Sequence, residues 1–189
     1  MTRFGPALLS IPLAACAACG GDPVSYSAPV GISLKAKSGD TVGGMVATEK
    51  AITTESGNPY GAFVGDARKQ IGRDPVLIDV ERVELALGAG SVGVAALGDV
   101  FAGTVEVVFQ LNDTNNAHRV ATAAIDAGTA AGPIALDVVF AAEAVPDLDY
   151  VRLLNGSFKV ITRGPAAPSF EAKGAEVDLQ VTLTFAAFE

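Results

Sequence analysis

Apolar and polar residues alternate along this chain at a period of two, and that pattern restricts its fold more than any other feature. Val177, Leu179, Val181, Leu183 and Phe185 fall on one side, with Glu176, Asp178, Gln180, Thr182 and Thr184 on the other. Successive side chains of a strand point to opposite faces, so such a segment buries one face and wets the other. Val105, Val107 and Phe109 alternate in the same way with Thr104, Glu106 and Gln110. Ile134, Leu136, Val138 and Phe140 repeat the pattern, as do Val30, Ile32 and Leu34, and Phe158, Val160 and Thr162 continue it in a segment beginning near Tyr150. Turn formers punctuate these runs at Ser38-Gly39-Asp40, Gly88-Ala89-Gly90, Asn112-Asp113, Gly132-Pro133 and Gly164-Pro165. The expectation is an all-β chain, an antiparallel β-sandwich of immunoglobulin-like or jelly-roll topology.

One strand changes parity. Val76, Ile78 and Val80 share a face, and Val83, Leu85 and Leu87 then take over one residue out of step. An extra residue at Glu81-Arg82 returns both sets to the core, as a β-bulge does; two strands separated by a bend are the alternative. A single segment departs from the β rhythm. Asn58 before Pro59 is a helix start, and Tyr60, Phe63, Val64, Ala67 and Ile71 recur at helical spacing before Gly72. One short helix is therefore expected around 59–71. The polar connection ahead of it, from about Lys37 to Pro59, reads as a long loop.

Thirteen basic residues against 21 acidic ones give a formal net charge of −8. Nucleic acid demands clustered cations, so it is excluded as a partner. The exception to the acidic balance is Arg68, Lys69 and Arg73, which the helix gathers on its outer side as a possible partner-binding patch, with Asp66 and Asp74 near enough to neutralise it. His118 is the one histidine and reads as flanking a turn, half exposed. No GxSxG or HExxH context surrounds it, so the expectation is a chain without catalytic residues. Asn112, Asp113, Asn115 and Asn116 are candidate oxygen ligands for calcium, with Asp147 and Asp149 in a second acidic loop. The competing reading of such residues is a turn, because Asn and Asp tolerate left-handed backbone.

The N-terminus reads as an address. Arg3 precedes a short apolar run from Phe4 to Leu13, about ten residues where a spanning helix needs ~20. Leu13-Ala14-Ala15-Cys16 follows and resembles the bacterial lipobox, in which a leucine and two small residues precede the lipidated cysteine. The resemblance implies a signal peptide over 1–15, lipid on Cys16, and export to the cell envelope, to the outer membrane if the host is Gram-negative. Gly20 to Pro29, rich in breakers, then reads as part of a flexible tether over 16–29, leaving a single domain over 30–189. The functional expectation is a lipid-anchored envelope lipoprotein acting as a non-enzymatic binding or assembly module for an envelope partner. A membrane-anchored hydrolase and a structural subunit associating through its sheet edges are the alternatives.

Overall fold

A computed structural model describes residues 24–168 and 170–189. The signal segment, Cys16 and Cys19 lie outside the described residues. The strands are β1 (Ser25–Lys37), β2 (Met45–Ile52), β3 (Leu77–Leu87), β4 (Gly103–Leu111), β5 (Ala117–Ile125), β6 (Ile134–Val138), β7 (Phe158–Pro165) and β8 (Glu176–Phe188). Two helices accompany them, α1 (Pro59–Ile71) and α2 (Asp147–Leu154). The fold is all-β, as the alternation predicts.

The strands form one antiparallel sheet in the order β1-β8-β3-β6-β5-β4-β7-β2. Strand β6 is its corner, since Ile134 and Leu136 pair with β3 while Asp137 and Val138 pair with β5. The strands on either side of β6 bury their inward faces in a common core. Phe109 of β4 stacks on Phe185 of β8 with ring centroids 6.1 Å apart, and Tyr60 of α1 packs edge-on against both Phe158 and Phe185. The end strands meet on the far side, where the Thr48 hydroxyl of β2 donates to the Lys35 carbonyl of β1 at 2.7 Å. Helix α1 packs along β1 as well. An exposed end strand is a template for unwanted pairing, and here helix and sheet together cover it.

The bulge falls where the parity change places it. Val80 pairs with Phe185 and Arg82 with Thr184, which leaves Glu81 as the extra residue. Ile78, Val80, Val83 and Leu85 are consequently all buried, whereas Val76 precedes the strand and is exposed. Helix α1 also matches its signals: the Asn58 side chain accepts from the Tyr60 N–H at 3.0 Å, and Gly72 caps the other end in left-handed conformation.

Several expectations need correction. The tether does not extend to residue 29, because Ser25 to Pro29 belong to β1 and pair with β8, with Ser25 opposite Phe188. Serine, glycine and proline are tolerated on an end strand, which has only one neighbour to satisfy. The domain accordingly starts at about Val24 rather than 30. The polar connection from Lys37 to Pro59 contains β2, whose buried positions are Val46, Thr48 and Ile52, with Lys50 at the same parity but exposed. Thr48 and Lys50 dilute the apolar signal that marks the other strands. The Gly164-Pro165 pair lies within β7 instead of at a turn, and the missing side chain at Gly164 admits Val105 of β4. The stretch near Tyr150 is not the start of a strand but a second helix, α2, followed by β7 at Phe158.

Antiparallel alternation sorts every connection to one of two poles. The starts of β1, β3, β5 and β7 and the ends of β2, β4, β6 and β8 lie together, and both helices and the β4–β5 hairpin connect elements there. The opposite pole holds only irregular loops and short 3-10 turns.

Two glycines of α1 differ in what they do. A Cβ at Gly61 would stand 2.7 Å from the Thr54 carbonyl oxygen, so the helix seats on the preceding loop only without one. A Cβ at Gly65 meets nothing within 4 Å. Gly65→Ala is expected to raise stability by about 0.5–1 kcal/mol through helix propensity, and Gly61→Ala to lower it. Urea unfolding of the two variants checks the sign; equal effects would mean that the Thr54 contact does not seat the helix.

Candidate functional site

The candidate site forms around α2, and its origin is the shortness of β6. With five residues, β6 reaches β3 only at Val83 to Leu85, so the first half of the 11-residue β3 has no strand on that flank. Helix α2 occupies the gap. The Tyr150 hydroxyl accepts from the Ile78 N–H and donates to the Ile78 carbonyl, taking the place of the missing ladder. Local sequence favours a helix here: Pro146 precedes it with φ of −56°, Asp147 and Asp149 sit in its first turn and Arg152 in its last. Both charge placements complement the helix macrodipole.

Asp149 is buried and forms the centre of the site. Its Oδ2 accepts from Asn116 Nδ2 at 2.9 Å and lies 3.2 Å from His118 Nε2. Arg152 Nη1 stands 3.8 Å from Oδ1 and donates at 2.8 Å to the Leu148 carbonyl. A third tie comes from α1, where the Tyr60 hydroxyl donates at 2.8 Å to the Leu153 carbonyl. Burial pushes the Tyr60 phenol above its ordinary value, so it remains a neutral donor. The same carbonyl also accepts from the Gly156 N–H at 3.1 Å, so the Tyr60 bond adds a second donor at the helix end.

Beside His118 lies a depression of about 220 Å³, lined by Arg119 and by Phe140, Val145 and several alanines. An imidazole oriented by a buried carboxylate is the arrangement of a general base. Among the described residues, however, no serine, threonine or cysteine lines the depression. Adjacent on the sheet, Arg163 Nε and Arg119 Nε donate to the two oxygens of Glu106 at 2.6 and 2.8 Å. Partial burial pushes the Glu106 carboxyl up, but the two guanidinium groups outweigh it and hold the carboxyl below the usual glutamate range.

The sequence-based candidates fare unevenly. His118 flanks the β4–β5 turn as the second residue of β5, partly exposed, and its ring also faces Asp149. Asp147 and Asp149 belong to a helix, not an acidic loop. Asn112, Asp113, Asn115 and Asn116 form the β4–β5 hairpin connection, with φ of +70° at Asp113 and +58° at Asn115. That left-handed backbone accounts for both residues. The amide nitrogens of Asn112 and Asn116 face Ser157 and Asp149. Among the described residues, no three His, Cys, Asp or Glu side chains are grouped to hold a metal ion. Arg68, Lys69 and Arg73 are exposed, but each is paired, with Asp74, Asp66 and Glu189 respectively. The patch is thereby locally neutral rather than cationic. Sequence reasoning missed Asp149 as the partner of His118, because 31 residues and a change of element separate them.

No helix among the described residues is long and apolar enough to cross a membrane. Comparison with protein-family models, curated proteins and solved structures finds no match to this chain.

Proposed function

We propose that this chain is an exported lipoprotein of the cell envelope, whose β domain acts as a non-enzymatic binding or assembly module held at the membrane by lipid on Cys16. The observation that carries the reading is Leu13-Ala14-Ala15-Cys16, followed after eight positions by the first residue described, Val24. That spacing puts the lipid close to a domain with its own core, as an anchored module requires. Association through open sheet edges is disfavoured by the covering of β1 by α1 and β2. The hydrolase alternative draws on the His118–Asp149 pair, with His118 as base toward water, and it has no hydroxyl or thiol in the depression to use as nucleophile.

Cys16→Ser tests the anchor, because a hydroxyl does not replace the thiol in lipid transfer. The expected result is loss of membrane association and accumulation of the unprocessed precursor, read by fractionation and by the mass of the mature chain. Wild-type protein found wholly in the soluble fraction would overturn the reading.

A further inference from the structure

The described chain begins at the pole that carries both helices, and this limits which surface a lipid on Cys16 can bring to a bilayer. Eight peptide steps separate Cys16 from Val24, a reach of at most ~28 Å at about 3.5 Å per residue. Strand β1 has 13 residues and runs from this pole to the other, ~40 Å at about 3.3 Å per residue. The far pole cannot face the membrane end-on with so short a leash, whereas the helical pole reaches it in any upright orientation. Lying sideways on β1 is no better, because its outward positions are Ser25, Ser27, Pro29, Gly31, Ser33, Lys35 and Lys37, none of which offers a large apolar group.

Exposed apolar groups occur at both poles, with Val42, Met45 and Val92 at the far one, but those of the helical pole lie at the tethered end. Leu148 and Val151 point outward from α2 at 78% and 52% exposure, Val76 precedes β3 at 60%, and Val24 enters β1 at 41%. All four belong to the helical pole, as two pairs linked through β8 and β3. Val24 and Val76 flank the end of β8, through the Glu189 N–H bonded to the Val24 carbonyl and the Val76 N–H bonded to the Phe188 carbonyl. Tyr150, between Leu148 and Val151 in sequence, reaches Ile78, two positions from Val76. The nearby charges of α1 cancel in three ion pairs, so the pole offers apolar contact rather than attraction to anionic headgroups.

We propose that the helical pole is a membrane-contacting surface, with Val24, Val76, Leu148 and Val151 seated in the lipid–water boundary beside the anchored cysteine. The inference rests on the anchor reading and adds the orientation of the domain on the bilayer: α2 and the start of β3 face the lipid, and the loops of the opposite pole are presented away from it. Lipid on a single cysteine keeps the pole at high local concentration near the surface, so a few aliphatic side chains suffice to hold it there.

The chain contains no tryptophan, so one introduced indole reports alone. Full-length Leu148→Trp and, at the opposite pole, Val92→Trp are purified with lipid attached and reconstituted in phosphatidylcholine vesicles carrying brominated acyl chains. Both positions are exposed, at 78% and 64%, so neither indole disturbs the core. The expected result is a blue shift and quenching of about twofold for Leu148→Trp, because an apolar face at the interface sits ~5–10 Å into the headgroup–acyl boundary. Val92→Trp is expected to show neither. Adding anionic lipid or salt is expected to change little. Equal quenching at the two poles, or none at position 148 while the protein floats with the vesicles, overturns the orientation and leaves the anchor standing. Failure of wild-type protein to float with the vesicles overturns both.

Discussion

Tyr60→Ala is expected to lower the unfolding free energy by about 4–5 kcal/mol, the sum of a large-to-small core substitution and the loss of the hydroxyl's hydrogen bond to Leu153. Tyr60 is buried among Phe63, Phe158 and Phe185, with ring centroids 6.1, 5.3 and 5.2 Å away. These rings come from α1, β7 and β8, so the tyrosine is the point at which the helix joins strands from both halves of the sheet. Its hydroxyl also holds the last turn of α2 through Leu153. Typical domains are stable by about 5–15 kcal/mol, so the variant is expected to be marginal or unfolded at ambient temperature. Tyr60→Phe separates the two contributions, because it keeps the ring and removes the donor, at an expected cost of about 1–2 kcal/mol. Urea unfolding followed by circular dichroism gives both values. If Tyr60→Phe costs as much as Tyr60→Ala, the ring packing is not what joins helix to sheet.

Asp149→Ala is expected to cost about 2–4 kcal/mol, since it takes one partner from a buried polar cluster and leaves the others facing a cavity. The Asn116 amide and His118 Nε2 both lose their acceptor, and α2 keeps its Tyr150 tie to β3 and its Leu153 tie to α1. The loss is expected to be local before it is global. Amide exchange should quicken across α2 and at Ile78, whose N–H depends on Tyr150 being held in place, while β8 stays protected. A double-mutant cycle with His118→Ala measures the coupling, expected at about 1–2 kcal/mol for contacting residues. Strict additivity of the two substitutions would remove His118 from the set of groups that pin the helix.

These two residues mark the division between what the sequence shows and what it hides. Tyr60 is legible as the first apolar residue of an amphipathic helix behind an Asn-Pro start, and α1 begins and ends where those signals lie. Asp149 is not legible, because nothing local distinguishes a carboxylate that caps a helix dipole from one turned inward toward a strand distant in sequence. Strand β2 was obscured for a related reason. Thr48 occupies an inward position and is accommodated by the Lys35 carbonyl of β1, a partner known only once the sheet has closed. The charges of α1 illustrate the same limit, since Arg73 is neutralised by Glu189 from the far end of the chain.

The sequence by itself determined the face of each strong strand and the extent of α1, and it located the parity change at Glu81-Arg82 that pairing with β8 resolves as a bulge. In each case neighbours along the chain record the alternation between wet and dry that burial imposes. Only the tertiary structure decided that β6 links β3 to β5, that Tyr150 of α2 reaches the flank β6 leaves uncovered, and that β1 starts at the helical pole. Those depend on which strands pair and how far each one reaches, and pairing is set by contacts between segments that the sequence keeps far apart.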